Sequence, residues 1–459
     1  MLREGKLDYI PVSYFRGDTL PYGIDDLDVY IVTVSPPDRN GYCSFGTSVA
    51  MSPLMMRAAP RIIAEVDESF IRTGGTNYIH ASQIDRFVVK QRQPESLVTA
   101  EQFSREKLDA IDAICMRIAS ELVQDGDTIQ IGAGDMTNPL PNYLDGRKNL
   151  GMQTEIIPPN VVALAKAGVL NGTNKKIHPG KIVGTAFHPS LSDEELDFID
   201  QNPIFELYDF NYTDDIRLLS QDPNFTAINN ALYIDLTGQV ASESIGWEMF
   251  TGTGGQTAFS IAACLAGGKS IIAVPSCSFL EGKRISRIVP ELAAGTVVTT
   301  PRAFVDYVVT EFGIAVMRGK SLRERAEALV AVAVLVSHPL PEEDLPVRPQ
   351  DLRQDLPVRF NPLLQLRPLA SVCTRDVLRP VLEPEVVATV EGDPEIRPID
   401  LLQLLLRLAV LAILVAAMGR GFLPDVDEPA PRNLVIVIDA STSMNLVADS
   451  TVDEEVTSL

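Results

Sequence analysis

Short apolar runs, each stopped by a turn residue and separated by stretches with helical periodicity, constrain this chain more than any other feature. "DVYIVTVSP", "RIIAEVDESF", "GDTIQIGAGD", "KIVGTAF", "ALYIDLTGQ", "KSIIAVPS" and "GTVVTTP" are rich in Val and Ile and end at Gly, Pro or Ser. Runs of that length and composition read as buried parallel strands. Between them, "REKLDAIDAICMRIASELVQDG" carries apolar residues at helical spacing and stops at Gly126. "SLSDEELDFIDQN" opens with Ser192 followed by Glu195, the pattern of a capping box. Alternating strands and helices predict an α/β fold with largely parallel sheets.

Composition narrows the functions open to such a fold. The net charge of −22 argues against nucleic acid as a partner, because phosphate binding requires basic patches. The five cysteines (Cys43, Cys115, Cys264, Cys277, Cys373) and four histidines (His80, His178, His188, His338) are scattered, with no CxxC pair and no zinc-ligand spacing. The cysteines read as reduced thiols of a cytoplasmic protein, and "MLREGKLDYIPVSYF" is not a signal peptide.

Four segments follow from the shifts in composition: residues 1–102, 103–340, 341–398 and 399–459. The third is crowded with proline, repeats "DLPVR", and reads as linker. The fourth begins with the apolar "IDLLQLLLRLAVLAILVAAMG", long enough for a membrane contact through 399–418 but interrupted by Gln403 and Arg407, so an amphipathic or packed helix is the alternative. It continues into "RNLVIVIDASTSMN", a strand ending in Asp439, Ser441 and Ser443.

The candidate chemistry lies in "DLTGQVASESIGWEMFTGTGGQ". Glu243 precedes a glycine-rich turn, Gly252 to Gln256. A carboxylate of limited solvation can attack an activated acyl group, and bare backbone N–H groups can stabilise the oxyanion that forms. The bland alternative is a structural Glu beside a turn. "IGAGDMTNPLPN" is a second glycine-rich loop after a strand; it lacks the third glycine of a dinucleotide fingerprint and reads as a plain turn or a contact to a phosphate-bearing ligand. "SPPDRNGYCSFG", with Asp38, is a third loop.

Taken in order, "SPPDRNGYCSFG", "DLTGQVASESIG", "TGTGGQ", "KSIIAVPS", "SRIVPEL" and "GTVVTTPRAFVDYVVTEFGIAVMRGKSLRERAEALV" closely resemble the acetyl-CoA hydrolase/CoA-transferase family of the 4-hydroxybutyrate and butyrate:acetate type, over about residues 5–340. The resemblance implies two similar α/β domains with acyl-CoA between them and no bound cofactor, coenzyme A thioester being the substrate. It implies Glu243 as the catalytic carboxylate, Gly254, Gly255 and Gln256 as the oxyanion and substrate segment, and Gly132, Gly134, Asn138 and Lys269 as CoA-binding positions. Acyl-CoA, a short-chain carboxylate and further copies of the chain in a homo-oligomer are the implied partners.

Departures accompany the resemblance. "QTE", Gln153 to Glu155, stands where the family often has "HTE", and the second glycine loop is longer than usual. The family's opening strands are expected ahead of Met1, so the first domain is read as N-terminally truncated, with an incomplete sheet and low activity. "IVIDASTSM" resembles the start of a membrane-anchored von Willebrand factor A domain, which makes Asp439, Ser441 and Ser443 weak metal candidates and the tail mostly irregular. Trp247 is expected in the core, with covering the cleft as the alternative; Arg302, Arg318 and Arg323 are expected on solvated surfaces, with CoA phosphates as the alternative. The leading expectation is a CoA-transferase. Its rivals are an acetyl-CoA hydrolase and, in a different class, a membrane-tethered metal-dependent binding protein.

Overall fold

A computed structural model describes residues 9–15, 27–89, 103–280 and 283–334. The 341–398 linker, the apolar 399–418 segment, and Asp439, Ser441 and Ser443 lie outside the described residues. Among the described residues, no helix is long and apolar enough to cross a membrane and no cluster of His, Cys, Asp and Glu is suited to a metal.

The α/β expectation holds. A nine-stranded sheet runs in the order Gly313–Val316, Tyr307–Thr310, Lys269–Ala273, Phe225–Asn230, Thr128–Ile131, Gly151–Gln153, Ile182–Gly184, Phe205–Leu207 and Gly74–Gly75. All neighbours are parallel except Gly313–Val316, which is antiparallel to Tyr307–Thr310. Alternation along the strands sends consecutive residues to opposite faces. Ile228 and Ile271 pack with Ile111, Ile114 and Cys115 of the helix Arg105–Arg117. On the other face Phe225 and Ala227 meet Phe259, Ala262 and Ala263 of the helix Gln256–Leu265. Ile272 and Val308 there meet Leu329 and Val332 of Leu322–Val332. Burial on both faces explains why these strands read as continuous apolar runs, each buried Ile or Phe contributing about 1.5–3 kcal/mol.

Helix starts follow their local sequence. Ser192 and Glu195 form the expected capping box on Asp193–Ile199, and Ser321 and Glu324 form another on Leu322–Val332. Ser104 caps Arg105–Arg117, which passes into a π turn, Ile118–Leu122, before Gly126.

Two expectations need correction, and one strand was not foreseen. The central strand Phe225–Asn230 hides behind polar residues: Asn229 faces inward, exchanging hydrogen bonds with Gln130 at 3.1 and 3.0 Å. "ALYIDLTGQ" supplies Tyr233–Asp235, but in a separate small sheet between Val240–Ala241 and Ile288–Val289. "GTVVTTP" is not a ladder strand; it makes one bridge, Thr300 to Val240, and spends its other polar groups on neighbouring turns.

The N-terminal part forms a parallel sheet, Tyr30–Val34, Ile62–Val66 and Arg86–Val89, with Ile62–Val66 in the middle. Tyr30, Val32, Val34, Ile62 and Ala64 pack inward, whereas Ile31 and all of Arg86–Val89 are exposed. This part is joined to the large sheet directly, because Gly74–Gly75 adds to the edge strand Phe205–Leu207.

Chain order fixes where a ligand can sit. From Thr128–Ile131 the chain moves through Gly151–Gln153 and Ile182–Gly184 to Phe205–Leu207 in one direction. It then returns to place Phe225–Asn230 on the other side of Thr128–Ile131 and continues away through Lys269–Ala273 and Tyr307–Thr310. The order reverses between Thr128–Ile131 and Phe225–Asn230, and the carboxyl ends of strands at such a reversal leave a crevice.

Candidate active site

Two loops leave the crevice. After Ile131, the Gly132–Asn138 loop folds onto Asn230, whose Nδ2 donates to Thr137 Oγ1 (2.7 Å) and to the carbonyls of Gly132 (3.3 Å) and Ala133 (3.2 Å). Asn138 Oδ1 accepts from the Gly134 amide at 3.1 Å, so three of the expected CoA-binding positions, Gly132, Gly134 and Asn138, build one loop. After Asn230 the chain makes the hairpin Tyr233–Asp235/Val240–Ala241, its turn held by the Asp235 carboxylate accepting from the Thr237 and Gln239 amides.

The hairpin returns Glu243 to the sheet edge. Ser242 Oγ donates to the Asn230 carbonyl at 3.0 Å, and the Ser242 amide donates to Thr299 Oγ1 at 3.0 Å. The next turn folds back on Glu243, whose carbonyl accepts from the amides of Phe250 (2.8 Å) and Thr251 (3.3 Å). The segment misread as a strand supports this turn from behind: Thr296 Oγ1 accepts from the Gly246 amide and Ser244 Oγ from the Val297 amide.

Glu243 itself is 5% exposed. Its Oε2 accepts a 2.7 Å hydrogen bond from Thr253 Oγ1, and the Thr253 hydroxyl and amide are in turn both bonded to Tyr9 Oη at 2.7 Å. A relay therefore runs from Tyr9 through Thr253 to one carboxylate oxygen. Bonds of this length to a carboxylate are of the stronger kind, which fixes the side chain through this one oxygen.

The glycine turn beyond Thr253 divides its amides. Gly255 donates its N–H to Glu155 Oε2 at 3.2 Å. A Cβ at Gly255 would lie 2.3 Å from Asp214 Oδ2 and 2.7 Å from Glu155 Oε2, so only glycine fits. At Gly254 a Cβ would meet nothing within 4 Å, and its amide has no partner among the described residues. Gln256 opens the helix Gln256–Leu265 and turns inward, its Nε2 buried and unpartnered. The helix's first-turn amides have no side-chain cap, leaving a positive end beside the turn.

Lys269 is not brought here. It begins its strand, at the opposite edge of the sheet, and its Nζ pairs with Asp127 Oδ2 at 3.3 Å. Arg318 lies at that same edge, bonded to the Gly268 carbonyl, and Arg302 belongs to a 3-10 turn. Trp247 is not in the core: it is 87% exposed, with its indole against Gly295, where a Cβ would meet the ring at 2.5 Å. The "SPPDRNGYCSFG" loop is closed by Asp38 Oδ1, which accepts from the Asn40 and Tyr42 amides. Beside Ser242 and Asn230 a cavity of about 500 Å³ extends past Gly134, Cys277 and Arg287. Cys277 is not an activated thiol, since burial pushes it upward.

Thr253, Tyr9 and Asp214 were not singled out by the sequence. A hydroxyl set among glycines in "GTGGQ" was a readable signal for Thr253; Tyr9 and Asp214 carry none. Glu155 stood out only as part of "QTE". Its carboxyl is enclosed, although part of the residue reaches solvent, and burial pushes it up to about 7 against the lowering effect of the Gly255 hydrogen bond. Asp214 is fully buried and raised well above the usual carboxylate range by burial and then by the Glu155 charge.

A buried carboxylate beside an open backbone turn lies at the switch point of a doubly covered parallel sheet, where such sheets hold their ligands. Comparison with known proteins shows the family. The acetyl-CoA hydrolase/transferase N-terminal domain matches residues 1–99 and the C-terminal domain of the same family matches residues 192–345. The 4-hydroxybutyrate coenzyme A transferase of Clostridium kluyveri is 39% identical over 353 residues, 75% of this chain and 77% of that protein. A succinyl-CoA:acetate/propanoyl-CoA:succinate CoA transferase of Fasciola hepatica is 36% identical over 75% of this chain and 70% of its own length. Among solved structures, RipA from Yersinia pestis superposes with a TM-score of 0.64 at 31% identity, over 72% of this chain and 74% of that one. The chain belongs to the acetyl-CoA hydrolase/transferase family and is a CoA-transferase by class.

Proposed function

We propose that the protein moves coenzyme A between a short-chain acyl-CoA and a carboxylic acid, with Glu243 as the nucleophile. The Glu243 carboxylate attacks the thioester carbonyl and expels CoA thiolate, leaving a mixed anhydride on the side chain. The thiolate then attacks the glutamyl carbonyl of the anhydride, releasing the first acid as its carboxylate and leaving a glutamyl-CoA thioester. A second carboxylate attacks that thioester, forming a new anhydride and freeing thiolate. The thiolate finally attacks the new acyl carbonyl, which restores Glu243 and gives the product acyl-CoA. Each tetrahedral intermediate carries an oxyanion, and the unpartnered Gly254 amide with the helix end behind it serves as its donor.

The observation that carries this reading is the burial of Glu243 with one oxygen held by Thr253 and open backbone next to it. The Gly132–Asn138 loop and the adjoining cavity offer the nearest enclosure for the CoA arm. Free Cys43, Cys115, Cys264 and Cys277 suit a reducing, cytoplasmic setting. The relatives support short carboxylic acids as partners, and assembly into a homo-oligomer is part of the same proposal.

The test is to incubate the full chain with acetyl-CoA, reduce with borohydride and map the product by mass spectrometry. Reduction of a thioester at Glu243 to the alcohol is expected; modification at another residue refutes the assignment. Comparing turnover with acetate and with water as acceptor separates transfer from hydrolysis.

A further inference from the structure

At the Gly255 end of the glycine turn, two more carboxyl groups meet. Both converge on Gly255: Glu155 accepts its amide, and Asp214 Oδ2 lies against the space a side chain there would take. Asp214 is fully buried, and Oδ2 has no hydrogen-bond partner. Its Oδ1 accepts from the Thr213 hydroxyl at 3.1 Å, which also bonds the Thr185 hydroxyl at 2.6 Å. Among the described residues no cation pairs with either. The helix Gln256–Leu265 contributes no ionisable group to this end, its one titratable residue being Cys264 near the far end. On the Phe210–Thr213 side, Asp209 faces Arg57 and Asp215 is paired with Arg217, while Glu206 pairs with His178 and Lys181. The charge acting on Asp214 is that of Glu155. Two carboxylates held against one glycine in a closed space repel strongly, because little water is there to screen them. A proton is the simplest way to hold them together.

We infer that Glu155 and Asp214 are a positioning pair beneath the donor turn: sharing one proton, they anchor the Gly255 amide and thereby hold the Gly254 amide toward the reacting carbonyl. The inference rests on the proposed role of Glu243, yet adds residues that touch neither substrate nor nucleophile. With the proton present, Glu155 accepts from Gly255 and the turn is fixed. Loss of the proton sets two charges against each other in a closed space, Glu155 withdraws, and the turn loses its anchor. The transferase should therefore lose turnover on the alkaline side while its affinity for acyl-CoA changes little.

The test measures the pH dependence of kcat and KM for full-length wild type, Asp214→Asn and Asp214→Ala, with borohydride trapping at each pH. In the wild type, kcat should fall about tenfold per pH unit on an alkaline limb set by loss of the last proton from the pair, with KM for acyl-CoA steady. Asp214→Asn, which keeps the shape and cannot ionise, should remove the limb while the Glu243 adduct still forms. Asp214→Ala should lower kcat about tenfold at all pH values, with the asparagine variant restoring it. If Asp214→Asn does not fold, Glu155→Gln, which retains an acceptor for Gly255, must remove the limb instead. An adduct on Glu243 with the same alkaline limb in wild type and variant overturns the pair alone. Absence of any Glu243 adduct in the wild type overturns the underlying mechanism as well.

Discussion

Three carboxyl groups surround the Gly252–Gln256 turn, and the protein treats its Thr253 and Gly255 positions in opposite ways. At the first, Glu243 receives a short hydrogen bond from Thr253, itself steadied by Tyr9, and stands beside backbone with nothing over it. At the other, Glu155 and Asp214 are shut in together, with one backbone amide and one hydroxyl between them. The first arrangement supplies donors to the carboxylate proposed as nucleophile and leaves bare backbone beside it. The second withholds compensation, so its members hold a proton and act on the turn rather than on a ligand. Burial alone does not mark a catalytic carboxylate; what the burial leaves open does.

Substitutions around the two positions should separate these roles, beginning with the largest effect. Glu243→Gln keeps the volume and removes the nucleophile, so CoA transfer should fall by at least ~10³-fold while circular dichroism is unchanged. Retention of more than a tenth of the activity would place the chemistry elsewhere. Gly255→Ala drives a methyl group into Asp214 and Glu155 from the turn between them. Displacing the donor turn should cost about 10²-fold in kcat, measured at saturating acyl-CoA. Thr253→Val cuts the relay to Glu243 and should cost about 2 kcal/mol of transition-state stabilisation, roughly 30-fold in kcat/KM.

The smallest expected effect concerns stability. Burial raises the folded-state value of Glu155 from 4.5 to about 7, so between those values the folded chain binds more protons than the unfolded one. The stabilisation is then fully present below pH 4.5 and lost as pH rises toward 7. The contribution is about 3 kcal/mol, and Glu155→Gln should flatten it in thermal melts followed across that range. Parallel melting profiles for the two proteins would show that the pair does not hold the proton.

Much of this architecture was legible. The Val- and Ile-rich runs announced a doubly covered sheet because such strands have no solvent face, and Ser192 with Glu195 announced a helix start because both side chains satisfy backbone amides locally. The central strand Phe225–Asn230 was not legible, since its Asn229 is paid for by a partner on another strand, Gln130. Trp247 was expected inside because large aromatic residues usually are, yet it sits in the turn after Glu243, between Ser244–Ile245 and Glu248–Met249, which carries it outward onto Gly295. Glu243 and the turn could be found from adjacency and resemblance. The division of amides between Gly254 and Gly255 could not, because it depends on Glu155 and Asp214, brought in from other parts of the chain by the sheet.

The Gly74–Gly75 strand carries a consequence for inheritance. At Gly75, φ is +87° and a Cβ would lie 2.0 Å from the Leu207 carbonyl oxygen, so the backbone of the N-terminal part is pressed against the last long strand of the sheet. Arg72 strengthens the seam, its amide donating to Asp200 Oδ1 and its carbonyl accepting from Gln201, each at 2.7 Å. The two family-matched segments are therefore not interchangeable modules. A chimera that drew one of them from a relative would have to inherit this glycine and its seam together, or leave an open edge along Phe205–Leu207 that invites pairing with other chains.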